Sequence, residues 1–189
     1  MKFVLASMLL FCFQGMTEAT VNKRADIPNV IPLVHTEEYQ EFKSTLGYFE
    51  SRGDYSVVNS WGFKGKYQFS DYMIGKFAKV PPNVFLASPA IQEQAMTAVI
   101  RHYISYVKRA GYTRFIGRYI GGTKITMATL LVGCHFSPSY LHRWLHSNGR
   151  ENSDDGYISI GAYLSRFNQV YNDNCSDRMI EGKNQSFAV

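Results

Sequence analysis

Residues 88–111 of the chain read SPAIQEQAMTAVIRHYISYVKRAG. Ser88 is a favourable N-cap, Pro89 suits the first helical position, and Gly111 is a favourable residue just past a helix end. Apolar and ring-bearing residues recur between them at intervals of three and four, as on one face of a helix. They are Ile91, Ala95, Ala98, Val99, His102, Tyr103, Tyr106 and Ala110. The stretch therefore predicts a long helix with one buried face.

A helix is also predicted to follow Thr36, which is a favourable N-cap. Its first turn carries Glu37 and Glu38, whose charges suit the positive end of the helix dipole. The helix should stop near Gly53. Its buried face is indicated by residues spaced three and four apart, which are Tyr39, Phe42, Leu46 and Phe49.

Three more helices are predicted in the second half of the chain. Each opens with a residue that can cap it, and these openings are Thr126, Ser137-Pro138 and Ser159. The first should run to about His135, and Gly149 should end the second. The strand-forming pattern is weak and confined to residues 55–69. The sequence thus predicts a mainly α fold with a small irregular or β-hairpin segment after the helix that follows Thr36.

Length and composition indicate one globular domain. Of the 189 residues, 46% are hydrophobic and 19% are charged, which excludes intrinsically disordered, collagen-like and coiled-coil classes. A chain of this length has the size of a single domain. The net charge of +5 suits an acidic partner such as nucleic acid, anionic lipid or an anionic cell-wall polymer, and it does not choose between them.

The N-terminal residues are typical of an export signal. Met1-Lys2 precedes an apolar run over residues 3–13, and Thr17 and Ala19 give the small-x-small pattern of a signal peptidase site. We therefore expect residues 1–19 to be removed and the mature protein to be periplasmic or extracellular. The run of about eleven residues is short for a bilayer core, which takes about twenty. An anchor that is never removed is the alternative.

The mature chain divides into three predicted parts. Residues 20–35 contain two prolines and no periodicity, so they are predicted to form an extended lead-in. The folded domain is expected to span residues 36–171. Residues 172–189 are polar and are predicted to form a C-terminal tail.

The cysteines and histidines give no metal or cofactor motif, and none is expected. Export would remove Cys12 and leave Cys134 and Cys175, which could form one disulfide. Cys134 lies in an apolar stretch, so a buried free thiol is the alternative. A histidine cluster lacks the accompanying thiolate or carboxylate spacing of a metal site, and its members are His135, His142 and His146.

Glu50 is the candidate for acid chemistry. It lies beside Phe49 at the edge of the apolar face of its helix and near the negative end of the helix dipole. Partial burial and the dipole both favour the protonated carboxyl and raise its pKa, as a general acid working near neutral pH requires. The segment that follows, residues 51–69, is rich in glycine, aromatic and amide residues, which suits a sugar-binding cleft. The alternative is an ordinary helix residue paired with Arg52.

Residues 50–69 resemble the motifs of lysozyme-like lytic transglycosylases and the related goose-type lysozymes. Glu50-Ser51-x-Gly53 is similar to the Glu-Ser pair that ends a helix in that family. Gly65-Lys66-Tyr67-Gln68 is similar to the Gly-x-x-Gln motif on the opposing wall of the cleft, with Lys66-Tyr67 in place of the commoner Leu-Met. The resemblance extends more loosely over most of residues 36–170, and it implies a lysozyme-like helical domain. Cys134-His135 stands where many relatives have Tyr-Asn.

The resemblance implies a peptidoglycan-cleaving enzyme in which Glu50 is the catalytic acid and then the base. It also implies a set of substrate-binding residues, which are Ser51, Tyr67, Gln68, His135 and Tyr163. In the family's mechanism the acid protonates the oxygen between N-acetylmuramic acid and N-acetylglucosamine, and the muramic acetamide stabilises the positive centre. The ionised Glu50 then takes the proton of the muramic C6 hydroxyl as an anhydro ring closes.

Two alternatives to the transglycosylase stay open. One is a hydrolytic muramidase on the same scaffold, and the other is a non-catalytic lysozyme-like protein that binds glycans. Of the nearby carboxylates Asp54 and Asp71, the first is predicted to cap a turn. Trp61 is a candidate for stacking on a sugar, whereas Trp144 is predicted to lie in the core. The expected partner is the peptidoglycan glycan strand, with no nucleic acid and no stable membrane insertion, and the protein is expected to be a monomer.

Overall fold

The computed structural model describes residues 37–152, 156 and 158–174, and this part of the chain is mainly helical. Its α-helices are α1 (Glu37–Ser51), α2 (Asp71–Met73), α3 (Pro82–Ala87), α4 (Pro89–Arg109), α5 (Met127–Phe136), α6 (Pro138–His146) and α7 (Ile160–Asn174). Two further turns of helix are a π-helical turn at Ile74–Ala78 and a 3-10 turn at Tyr112–Phe115. The strands β1 (Tyr119–Ile120) and β2 (Thr123–Lys124) form an antiparallel hairpin. The prediction of a mainly α fold is confirmed.

The five helices predicted from sequence are present as α1, α4, α5, α6 and α7. The side chain of Ser88 caps α4, and that of Ser137 caps α6. Thr126 caps α5 through a reciprocal pair of bonds with Thr129. Each cap satisfies a backbone N–H that has no partner inside its helix. The predicted cap of α1, Thr36, lies outside the described residues.

The sequence did not predict α2, α3, the π-helical turn, the 3-10 turn or the position of the hairpin. Residues 55–69 form an irregular segment in which Lys64 makes isolated bridges to Val58 and Phe69. The hairpin lies further along the chain, around Gly121-Gly122, whose φ angles are +53° and +80°. A two-residue loop with both φ angles positive is the turn that matches the twist of the flanking strands, and glycine adopts it without strain.

The core forms around α5. Helix α1 packs on α7, and α5 packs on α4, α6 and α7. Phe42 of α1 contacts Phe167 and Tyr171 of α7 edge to face, with ring centroids 5.9 and 6.2 Å apart. Trp144 of α6 is 1% exposed, so the prediction that it belongs to the core is confirmed. This packing brings together the end of α1, the end of α5 and the first turns of α7.

Further expectations concern the cysteines, the ends of the chain and the membrane. Cys134 carries a free, buried thiol, and burial raises its pKa to about 12. Its possible partner Cys175, the export signal and the lead-in all lie outside the described residues. Helix α7 continues to Asn174, three residues into the predicted tail. Among the described helices, none is both long and apolar enough to cross a membrane.

Candidate active site around Glu50

A cavity of about 390 Å³ opens between the end of α1, the irregular segment, the end of α5 and the start of α7. Its polar lining consists of Glu50, Asn59, Ser60, Gln68, His135 and Tyr163. Its apolar lining consists of Trp61, Phe63, Met73, Phe136 and Ile158. A cleft with aromatic walls and a few convergent polar groups is the usual form of a binding site for a small ligand or a chain segment.

Glu50 is the next-to-last residue of α1, and its side chain is 16% exposed. Burial raises the pKa of the carboxyl, and the nearby His135 and the hydroxyl of Tyr163 act in the opposite direction without cancelling the effect of burial. The predicted rise of the Glu50 pKa by burial is therefore confirmed. The alternative of a Glu50–Arg52 pair is not what the structure has, because the Arg52 guanidinium lies over the Tyr48 ring, 4.8 Å from its centroid.

Tyr163 fixes the orientation of the Glu50 carboxyl. Its hydroxyl donates a hydrogen bond to Oε1 of Glu50 from the first turn of α7. Its ring is held between Phe49 and Phe136, with centroids 5.1 and 4.7 Å away. Because Oε1 carries the contacts to protein groups, Oε2 is the oxygen available to a ligand.

His135 lies near the same carboxyl oxygen. Its side chain is 5% exposed, and Nε2 is 3.9 Å from Oε1 of Glu50. Nε2 is also 2.9 Å from the carbonyl oxygen of Tyr67. Since a carbonyl only accepts, Nε2 must carry a proton and donate it there. Within the described residues the buried Nδ1 has no hydrogen-bond partner. His135 thus places its protonated Nε2 between the Tyr67 carbonyl and the Glu50 carboxyl.

Gln68 and Asn59 come from the irregular segment, which turns sharply around them. Gln68 has a φ of +50°, and its Nε2 donates to the carbonyl of Gly65 at 2.9 Å, which leaves its amide oxygen for a ligand. Oδ1 of Asn59 accepts from the backbone N–H groups of Trp61 and Phe63 at 2.9 and 3.0 Å. This turn presents the Trp61 ring at the mouth of the cavity, where it is 48% exposed.

A partly buried charge cluster attaches the irregular segment to α1 and α4. Oε1 of Glu93 on α4 accepts from the Lys66 ammonium and from the hydroxyls of Tyr55 and Tyr67, all at 2.8–2.9 Å. Its Oε2 pairs with Lys43 of α1. Burial alone would raise the pKa of Glu93, but these four hydrogen bonds outweigh it and lower the pKa to about 2. The carboxylate therefore stays ionised and holds the Gln68 wall in place.

Gln92, the neighbour of Glu93, connects α4 to the same segment by hydrogen bonds. Its side chain is fully buried, accepts from the N–H of Lys66 at 2.9 Å and donates to the carbonyl of Tyr55 at 2.8 Å. Gly65 lies so close that a Cβ there would collide with the Gln92 carboxamide, and its φ of +72° also favours glycine. The Gly-x-x-Gln motif is thus fixed from behind by α4.

Two of the predicted substrate-binding residues, Ser51 and Tyr67, lie behind the cavity lining. The Ser51 hydroxyl is 2.9 Å from the carbonyl of Lys66, so it connects the end of α1 to the opposite wall. Tyr67 is 1% exposed, and its hydroxyl donates a hydrogen bond to Glu93. A direct ligand contact stays a prediction for both. Four predicted residues do meet at the cavity, and they are Glu50, Gln68, His135 and Tyr163.

Glu50 is the one carboxylate among the described residues that line the cavity. Asp54 caps the turn after α1, as predicted, since its Oδ1 accepts from both the N–H and the hydroxyl of Ser56 at 2.7 Å. Asp71 pairs with Lys64 at 2.7 Å and is 66% exposed. Neither residue lines the cavity.

Sequence reasoning missed the supporting residues. Lys43 and Glu93 are 50 positions apart, and a charge on an amphipathic helix is typical of an exposed face, so no local pattern indicates their pairing. Phe63, Met73 and Phe136 line the cavity without any motif of their own. Their contribution comes from the tertiary arrangement alone.

Comparison with known proteins gives no match, whether to a family model, to a curated protein or to a solved structure. The function must therefore be argued from the residues and the geometry of the cavity.

Proposed function

We propose that this protein is an exported peptidoglycan lytic transglycosylase that cleaves the bond between N-acetylmuramic acid and N-acetylglucosamine. The observation that carries the proposal is the state of Glu50. Burial raises the pKa of this carboxyl, and it is the one carboxylate among the described residues of an aromatic, amide-lined cavity. A carboxyl that stays protonated towards neutral pH can give its proton to a glycosidic oxygen.

The partners of Glu50 suit the second half of such a reaction. After the first proton transfer, the carboxylate must hold a negative charge in a buried place. The Tyr163 hydroxyl donates to Oε1, and the protonated Nε2 of His135 lies 3.9 Å from the same oxygen, so both favour the ionised form. Glu50 is thereby supported first as an acid and then as a base.

The proposed reaction balances with this single carboxyl. Glu50 gives its proton to the glycosidic oxygen as the bond from that oxygen to the muramic C1 breaks. The muramic acetamide stabilises the positive charge that develops at C1. Glu50 then accepts the proton of the C6 hydroxyl while the C6 oxygen bonds to C1. The products are a free hydroxyl on N-acetylglucosamine and a 1,6-anhydromuramic end, and Glu50 is again protonated.

The walls of the cavity suit a glycan strand. The half-exposed ring of Trp61 can stack on the apolar face of a sugar. The free amide oxygen of Gln68 can accept from an acetamide N–H or a hydroxyl. The backbone of Trp61 and the side-chain amide of Gln68 are held by hydrogen bonds within the irregular segment, so little freedom of these groups is lost when a strand binds.

The first test compares the wild type and Glu50→Gln, both in the exported form, on purified peptidoglycan. The release of soluble fragments is the readout. We expect the variant to lose at least about 100-fold in rate, in line with the contribution of a general acid. Asp54→Asn and Asp71→Asn are the matched controls, because each removes a nearby carboxylate that does not line the cavity, and both should keep near-normal rates.

Two results would contradict the proposal. One is a Glu50→Gln variant that digests peptidoglycan as fast as the wild type. The other is a folded wild-type protein that binds glycan strands and releases no fragments from several wall types, which would favour the glycan-binding alternative.

A further inference from the structure

A second cavity, of about 430 Å³, lies along α6 and the residues that follow it, and it shares no lining residue with the cavity around Glu50. We call it the Arg143 cavity. Its lining consists of His142, Arg143, His146, Ser147, Arg150 and Glu151. The reaction proposed for Glu50 uses none of these side chains.

The guanidinium groups at the Arg143 cavity are oriented by rings and carbonyls. The Arg143 guanidinium lies over the Tyr140 ring, 4.9 Å from its centroid. Nε of Arg150 donates to the carbonyl of Ser147 at 3.0 Å. The guanidinium of Arg114, in the 3-10 turn, lies over the ring of Phe115, 4.6 Å from its centroid. In the part of the chain that the structure describes, no carboxylate oxygen lies within 4.0 Å of these three guanidinium groups. Their positive charges are held in place and are not neutralised there.

The two histidines attach Arg114 to this cavity. An Arg114 nitrogen donates to Nε2 of His146 at 2.7 Å, so Nε2 is unprotonated and the ring proton is on Nδ1. That Nδ1 donates to the carbonyl of His142 at 2.9 Å. The Tyr112 hydroxyl lies 2.8 Å from Nδ1 of His142, and the two imidazole rings are 4.2 Å apart. This chain of bonds holds Arg114 against the lining and leaves Nε2 of His142 available to a ligand.

We propose that the Arg143 cavity is a binding site for a phosphate group carried by a small organic molecule or by a lipid headgroup. A planar guanidinium presents paired N–H groups that match phosphate oxygens, and two or more of them favour a group with several anionic oxygens. Glu151 is the one carboxylate among the described lining residues, so the cations are in excess. The volume also exceeds that of a phosphate alone and leaves room for the group attached to it. The site is independent of the chemistry at Glu50.

The test uses two probes. Binding of glycerol 1-phosphate is measured by calorimetry. Binding of phosphatidylglycerol vesicles is measured by sedimentation, with phosphatidylcholine vesicles as the comparison. Arg143→Gln/Arg150→Gln should weaken binding at least about tenfold, because each guanidinium supplies charge-assisted hydrogen bonds to the phosphate oxygens. Lys76→Gln/Arg101→Gln removes the same charge from exposed positions that do not line the cavity. This control should change binding by less than about twofold.

Glu151→Gln supplies a test in the opposite direction. Removing the lining carboxylate should tighten phosphate binding several-fold, whereas Glu37→Gln, at the exposed start of α1, should not. Cavity-dependent binding of glycerol 1-phosphate identifies a soluble phosphate as the source, and cavity-dependent binding of phosphatidylglycerol vesicles alone identifies a lipid headgroup. Absence of binding to both probes, or equal effects of the cavity and control variants, overturns the proposal.

Discussion

Glu93→Gln is predicted to destabilise the fold more than any exposed charge change on the same helices. The carboxylate is bonded to Lys43 of α1 and to Lys66 and Tyr67 of the irregular segment. The two lysine side chains are only 6% and 14% exposed. Removing the negative charge leaves both ammonium groups buried without their counterion, which is costly because water cannot replace it.

The magnitude follows from the pKa of Glu93. A fall from the ordinary glutamate value of 4.5 to about 2 corresponds to about 3.4 kcal/mol at 1.36 kcal/mol per pH unit. The carboxylate is 31% exposed, so solvent screening reduces the useful figure to about 2 kcal/mol. For a domain of this size that is a fall of about 4–8 °C in Tm.

The assay is thermal and urea unfolding of the wild type and Glu93→Gln at pH 7, 4 and 3. Because the folded-state pKa of Glu93 is lowered, its stabilisation is complete above pH 4.5 and is lost as the pH falls towards 2. The difference between the two proteins should therefore be full at pH 7 and shrink at pH 3. Glu37→Gln, an exposed control in the first turn of α1, should change stability by less than about 1 kcal/mol. Equal stability of Glu93→Gln and wild type at pH 7, or a difference that does not depend on pH, would refute the reasoning.

Three further predictions concern the cavity around Glu50 and the segment that forms its wall. Tyr163→Phe removes a hydrogen bond that favours ionised Glu50, so the high-pH limb of the pH–rate profile should move to higher pH and the maximal rate should fall. Burial raises the pKa of Glu50, so ionisation of this carboxyl costs stability as the pH rises above 4.5. In urea unfolding, Glu50→Gln should therefore be more stable than the wild type at pH 7, by about 1.4 kcal/mol for each unit by which burial raises the pKa. At pH 4 the two proteins should be equally stable. Gly65→Ala should lower the free energy of unfolding in urea by more than about 2 kcal/mol, because φ is positive there and the new Cβ collides with Gln92. Gly53→Ala is the control, with a φ of +83° and open space around it, and should lower that free energy by about 1 kcal/mol.

The helical framework could be predicted because its signals are local. Ser88, Thr126 and Ser137 cap helices where the sequence indicated, and each cap depends only on the next few residues. The hairpin at Gly121-Gly122 carries an equally local turn signal, but its strands are two residues long and show no alternating pattern. Short strands of this kind depend on packing. Here Trp144 packs so closely against the turn that a Cβ added to Gly121 would lie 3.2 Å from its ring.

The candidate site was predictable in part for the same reason. The raised pKa of Glu50 follows from its place at the edge of an apolar helix face, which periodicity reveals. Its contact with Tyr163 spans 113 positions, and no local pattern indicates it. The position of Nε2 of His135, and the cluster around Glu93, arise from the packing of three helices and have no counterpart in any local pattern.

The most direct test of the central claim is mass spectrometry of peptidoglycan digested in water enriched in oxygen-18. If Glu50 acts as acid and then as base towards the C6 hydroxyl, the wild type will release 1,6-anhydromuramic ends that carry no label, and Glu50→Gln will release them at least about 100-fold more slowly. Reducing muramic ends that contain oxygen-18 would show that water attacks C1, and would contradict the transglycosylase mechanism in favour of a muramidase on the same scaffold.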